Sequence, residues 1–561
     1  VRFPRGVWLV LALALLFSVA NRAAYKGWFN DDDLDNLLWT RYAKWETMPL
    51  GLLSPKFAEF NFRPTGHAYY QILVNTARLN FPWYIAVLHL LHLLNVVILW
   101  RVLQRLGSPV MAASAGALFF AFHMACFDAY WKPMYIFDVL CGTFSLLTLL
   151  VYLAGFPFWA LIPFWFAYKA KELAVAMPVV LLLYEWLLGE RRWRRTIPFF
   201  LIAASFTVQG VLLNRNVDND YSLRFTWDAL SKTSQYYFSE VLLVPFAGFL
   251  LLVAAAVVRD RRVRFGLLSF LVLLGPLWFL PGRLFSVYLY VPLIGIAIAA
   301  AVAAERVHPA WVALFFALWL PWNYHILRQK RALALAVGVE NKAFFEQLGS
   351  FLQKYPGLQR VVYDGHPKYL ASWGVAASFR WFRPEREFEF YSWTDQAAHE
   401  NLAKPGTGLV SWQRLSRRLK GYPQADMGGT AEIDFREEAA SWQLGPGWYD
   451  LDGGFRWTAP RATVRMMRPA GAREFYVLAN VGPVQADKAG GVEPELRINA
   501  VTLGKRKAAE RGWRELRWAL EPGAVEGPVE VELVVDPPFD PGGGDARRLG
   551  VAVVALGFRT R

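Results

Sequence analysis

Apolar runs of membrane-spanning length recur from near the N-terminus to about residue 328, and no other feature restricts the fold as strongly. The run from Phe81 to Trp100 contains no Asp, Glu, Lys or Arg. A stretch of roughly 18 such residues is long enough, as a helix, to cross a bilayer. Comparable runs cover residues 7–20, 109–125, 135–154, 157–170, 172–189, 196–213, 240–258, 265–281, 286–304 and 309–327. About eleven transmembrane helices are therefore expected. For the first run, a cleavable signal peptide ending at Ser18-Val19-Ala20 is the alternative to a span, and in both cases the acidic segment that follows lies outside.

The net charge of +15 does not point to nucleic acid, because basic residues in a polytopic protein hold loops in the cytoplasm. With eleven spans, Arg101 and Arg105, the Arg191–Arg195 loop, the Arg259–Arg264 loop and Arg306 all fall on the side of the N-terminus. That orientation makes the N-terminus cytoplasmic and everything after the last span extracytoplasmic. Cys126 and Cys141 lie in apolar surroundings and form neither a disulfide framework nor a metal spacing.

Past residue 328 the composition becomes that of a soluble protein. Helical spacing from Glu340 to Tyr355, a strand at 360–363 and a helix from Pro367 to Phe379 predict a small α/β module over 329–420. From 421 to 561, short alternating runs at 461–466, 474–478, 495–498, 529–535 and 550–558 predict a β-sandwich of jelly-roll type. The turn signals are Asp452-Gly453-Gly454 and Pro541-Gly542-Gly543-Gly544. Aromatics at Trp448-Tyr449 and at Phe455 and Trp457 suit core packing or stacking on a sugar; the sequence supports the fold and leaves sugar binding open. The expected fold class is thus an α-helical polytopic membrane region (1–328), an α/β module and a C-terminal β-sandwich.

Several polar residues stand where a membrane protein has no general need of them. Asp31, Asp32, Asp33 and Asp35 crowd into the first outward loop, and Arg63-Pro64-Thr65-Gly66-His67 opens an amphipathic segment read as an interfacial helix. Lys169, Lys171 and Glu172 interrupt two apolar runs at an outward end, either as a snorkelling pair or as cations placed for a phosphate. Arg283 has the same two readings. Asp128 lies in another outward loop, and Asp138, inside an apolar segment, requires a partner. His89 and His92, one turn apart, suit helix–helix hydrogen bonding better than metal binding.

In this order, four elements resemble the polytopic C-type (GT-C) glycosyltransferases, in particular the protein O-mannosyltransferase-like branch and its bacterial relatives. They are Asp31-Asp32-Asp33 after the first span, Phe62-Arg63-Pro64 leading into Leu88 to Asn95, Lys171-Glu172 before Met177 to Glu185, and Arg283 before Tyr288-Leu289-Tyr290-Val291-Pro292. Where relatives carry a His-Pro pair and a Glu in the second outward loop, this chain has His123-Met124 and Asp128.

The resemblance implies a bacterial inner-membrane enzyme taking sugar from a polyprenyl-phosphate donor, with inversion, to a hydroxyl on a protein, lipid or polysaccharide. Asp31 or Asp32 would be the general base, with Asp33 and Asp128 as supporting acids. Lys171, Arg283 and Arg63 would hold the donor phosphate, with Glu172, His67, Tyr288 and Tyr290 in support. No cofactor is required. A divalent metal at the acidic cluster stays open, although adjacent carboxylates do not by themselves make a coordination site. The expected partners are donor, acceptor and membrane lipid, and not nucleic acid. Two other readings are a glycolipid transporter or flippase, disfavoured by the absence of a sequence repeat, and a non-catalytic glycan-binding assembly protein.

Overall fold

The computed structural model describes residues 5–55, 63–213, 220–423, 428–521, 526–542 and 545–560. Phe62, Gly543 and Gly544, used in the motifs and turns above, lie outside the described residues, as do residues 214–219 between the apolar runs 196–213 and 240–258. The chain divides into two compact units, Val1–Val339 and Glu340–Arg561.

The first unit is helical. Among the described residues, three helices are long and apolar enough to cross a membrane: Phe81–Arg105, Pro133–Leu153 and Pro309–Lys354. Val110–Ala121 and Met124–Trp131, bent by 43°, make a fourth if taken as one span. This is fewer than the run count, for a local reason. Several apolar runs are built from shorter pieces: Glu172–Ala176 is a 3-10 turn before the Met177–Leu187 helix, and Ser286–Leu289 is one before Leu293–Arg306. Pro178 sits at the start of its helix and Pro292 just before its own, where a missing N–H is tolerated but cannot continue a preceding ladder.

Small residues bring the helices together. A Cβ on Gly266 would lie 2.6 Å from the carbonyl oxygen of Gly295, and one on Gly295 would lie 2.4 Å from that of Gly266, so these helices touch backbone to backbone. Gly116 meets the Ala297 carbonyl in the same manner, at 2.6 Å. Buried polar groups complete the packing. Tyr290 hydroxyl receives a bond from Asn95 Nδ2 at 3.0 Å and lies 2.8 Å from His92 Nδ1, while His89 Nε2 is 2.9 Å from the Tyr130 carbonyl oxygen. Both histidines are thus engaged between elements.

The second unit holds three sheets. One has four strands in the order Glu389–Ser392, Arg360–Asp364, Thr407–Gln413 and Arg418–Tyr422; the first three are parallel and the last antiparallel. The helices Ser372–Phe382 and Gln396–Leu402 lie in its crossovers. Beyond Gly428 are a four-stranded and a six-stranded sheet. Their inward residues, among them Val464, Phe475, Val477, Leu496, Val531 and Val553, form one shared core. Asp364, at the end of its strand, accepts the Ala440 N–H at 2.8 Å and so ties the parallel sheet to the segment that enters the other two.

Candidate functional site

Asp31, Asp32 and Asp33 form the first turn of the Asp31–Tyr42 helix. Carboxylates are stabilised there by the unpaired N–H groups and the helix dipole, which is a local reason for acids to crowd at this point. The three are not equivalent. Asp33 is fully buried: its Oδ2 accepts the Asn30 N–H at 2.9 Å and its Oδ1 accepts the Tyr70 hydroxyl at 2.8 Å. Burial pushes its carboxyl up to about 7, against the lowering effect of those two bonds. Asp31 is half-buried and Asp32 and Asp35 are exposed.

The Pro64–Ala77 helix starts at Arg63 and lies close against its neighbour, since a Cβ on Gly66 would come within 2.2 Å of the Phe137 ring. Arg63 pairs with both carboxylate oxygens of Glu172, Nε to Oε1 at 3.1 Å and Nη2 to Oε2 at 3.0 Å. His67 packs against Trp39 with ring centroids 4.2 Å apart, and burial pushes its imidazole down to about 4, so it is neutral near pH 7.

Lys171 Nζ reaches both oxygens of Asp138 at 2.7 Å and lies 4.4 Å from the centre of the Tyr288 ring. Asp128 is paired with Lys132 at 2.8 Å, and Lys132 acts electrostatically on Asp33. Asp32 acts likewise on Tyr135 and Tyr221, and Tyr135 also senses Asp128, Asp138 and Tyr288. The first outward loop, the second, the Lys171-Glu172 turn and the segment around Tyr288 therefore converge at one end of the helical unit.

Arg283 differs from the other cations there. Its guanidinium lies over the rings of Tyr221, at 4.0 Å, and Phe285, at 5.1 Å, and donates to the Tyr221 hydroxyl. Its Nε–H is buried without a hydrogen-bond partner. No carboxylate pairs with it among the described residues. Tyr290, by contrast, is in the buried core with His92 and Asn95, and Lys169 lies over the Trp165 and Phe206 rings.

Sequence reasoning did not find Tyr70, Tyr221 or Lys132. Lys132 had a readable signal, its four-residue spacing from Asp128, whereas Tyr70 and Tyr221 are single aromatics whose partners are distant in sequence. Among the described residues no group of three or more His, Cys, Asp or Glu is arranged to hold a metal ion.

The chain matches no protein-family model and no curated protein. Among solved structures it is similar to the mycobacterial arabinofuranosyltransferase AftD, with a TM-score of 0.44 and 11% identity over 100% of this chain and 58% of that one. A mutant of the same enzyme gives a TM-score of 0.39 and 11% identity over 99% of this chain and 60% of that one. The chain thus spans less than two thirds of the length of the structures it matches, and at these scores the likeness defines neither its fold nor its chemistry.

Proposed function

We propose that the chain is a membrane glycosyltransferase of GT-C type that transfers sugar from a polyprenyl-phosphate donor to a hydroxyl acceptor outside the membrane. The observation that carries this reading is Arg283. At an end of the bundle where Arg63, Lys132 and Lys171 each face a carboxylate, Arg283 faces aromatic rings and tyrosine hydroxyls, pairs with no carboxylate among the described residues, and keeps a buried Nε–H without a partner there. A departing phosphate carries growing negative charge and needs a cation whose charge is not already matched. Arg283 fills that role. Lys171 and Arg63 hold the surrounding frame through Asp138 and Glu172.

Asp32 is the general base in this proposal. It is the exposed acid of the first turn that acts electrostatically on Tyr221, the residue stacked on Arg283. A carboxylate within hydrogen-bond reach of the acceptor hydroxyl takes its proton as the bond to the anomeric carbon forms, and phosphate leaves from the opposite face. Asp33 fixes the turn that presents Asp32, through the Asn30 N–H and the Tyr70 hydroxyl.

The test is sugar transfer by purified protein in lipid nanodiscs across a panel of polyprenyl-phosphate sugars. Asp32→Asn is expected to lower kcat by about 10²–10⁴-fold, the usual contribution of a general base. Arg283→Gln is expected to weaken donor use to a similar degree. Transfer by Asp32→Asn at the wild-type rate would overturn the base assignment, and no transfer with any donor would overturn the activity.

A further inference from the structure

The opposite end of the same helices carries a second built feature. A cavity of about 510 Å³ lies where the Phe81–Arg105 and Ile136–Leu153 helices finish. Arg101, Gln104 and Arg105 line one side, and Leu150, Val151 and Phe156 the other. Both helices lie within segments long and apolar enough to span a bilayer, and the 25 residues of the first extend about 37 Å. The cavity is therefore at the membrane face away from Asp138 and Arg283.

Its walls are set by two matching helix ends. Gly155, with φ +92°, closes the second helix, with Phe156 N–H bonded to the Val151 carbonyl at 3.2 Å and Gly155 N–H to that of Tyr152 at 3.0 Å. Gly107, also at φ +92°, closes the first, with Ser108 N–H bonded to the Leu103 carbonyl at 3.0 Å and Gly107 N–H to that of Gln104 at 3.0 Å. These bonds occupy carbonyl oxygens that would otherwise repel an anion, and the first turn projects Phe156 beside the arginines.

Among the described residues no acid pairs with these arginines. Arg101 donates to Gln104 Oε1 at 3.3 Å and lies over the Trp100 ring at 4.9 Å. Arg105 makes no hydrogen bond or ion pair among the described residues. The tendency of basic residues to stay in the cytoplasm accounts for arginines at this end, but not for a cavity that sets them against an apolar wall. We infer that this cavity is a binding site for an anionic phospholipid of the adjoining leaflet, its phosphate between Arg101 and Arg105 and its upper acyl chain against Leu150 and Phe156. Basic recesses between transmembrane helices recognise lipid headgroups by the same combination of forked guanidinium donors and an apolar flank.

The test is native mass spectrometry of the full chain in detergent with equimolar phosphatidylglycerol and phosphatidylcholine. The wild-type protein is expected to retain the anionic lipid at least about tenfold better. Arg101→Gln/Arg105→Gln is expected to abolish that preference. So is Leu150→Trp, which fills the cavity without changing the charge. Arg191→Gln/Arg194→Gln, with the same charge change on another loop, is expected to keep it, and a melting temperature in lipid-free detergent identifies any variant that fails to fold. Equal retention of both lipids, equal loss in the Arg191/Arg194 variant, or no loss in a folded Leu150→Trp would overturn the site. Millimolar inorganic phosphate displacing the lipid completely would show that the site reads phosphate alone and overturn the lipid assignment.

Discussion

Lys171 and Asp138 face each other with side chains only 8% and 2% exposed. Two charges removed from water in this way stabilise little in net terms, but breaking the pair strands one of them. Lys171→Met is therefore expected to destabilise the protein by about 3–5 kcal/mol, and Lys171→Met/Asp138→Leu to recover much of the loss. Thermal unfolding in detergent distinguishes these outcomes: equal losses in the single and the double variant would mean that the pair is not coupled. The sequence marked Asp138 as an ionisable group in an apolar segment that needs a partner. It did not say which, because Lys171 is 33 residues away and the contact exists only once the two helices pack. Arg283 was legible as an out-of-place cation; that it lies between two rings, with no carboxylate paired to it among the described residues, required the placement of Tyr221 and Phe285.

At the scale of elements, the apolar runs were legible and their continuity was not. Hydropathy reports which residues avoid water, whereas a proline or a 3-10 turn decides whether they form one rod or two, as at Glu172–Ala176 and Ser286–Leu289. In the second unit the strands Arg461–Arg468 and Glu474–Val481 cover runs read from their pattern, and Ala552–Arg559 overlaps the run at 550–558. The strand Gly512–Ala519 went unread although Leu516 and Trp518 alternate with Glu515 and Arg517, because exposed Trp513 and charged Arg514 break the alternation at its start. The contact of Gly266 with Gly295 also makes a prediction at this scale. Gly295→Leu has no space for a side chain and must separate two helices, at a cost of about 1–3 kcal/mol or more. A melting temperature equal to wild type would show that the helices are not in backbone contact.

For the molecule as a whole, the second unit has a pH dependence of its own. Burial pushes the Asp364 carboxyl up to about 6, against the lowering effect of backbone N–H bonds from Ala440, Trp442 and Ser441. A carboxyl raised in the folded state holds its proton there more tightly than in the unfolded chain. Its contribution to stability is therefore full below about pH 4 and lost as pH rises through about 6. Asp364→Asn carries no such proton, so its melting temperature relative to wild type is expected to rise between pH 4 and 6 and to stay level above 7. A constant difference across that range would mean that Asp364 ionises normally.

The Gly266–Gly295 contact also has a mechanical consequence. Backbones that meet with no side chain between them cannot slide past one another without collision, so Arg261–Leu273 and Leu293–Arg306 move as one plate. Arg283 and Tyr288 are both in the short segment that joins the two halves of this plate. Between the two halves, Val287, Leu289, Tyr290 and Val291 are buried, so the C-terminal part of the joining segment is held by the same packing. The position of the Arg283 guanidinium is thus shared between Phe285, inside that segment, and Tyr221, which reaches it from another part of the chain.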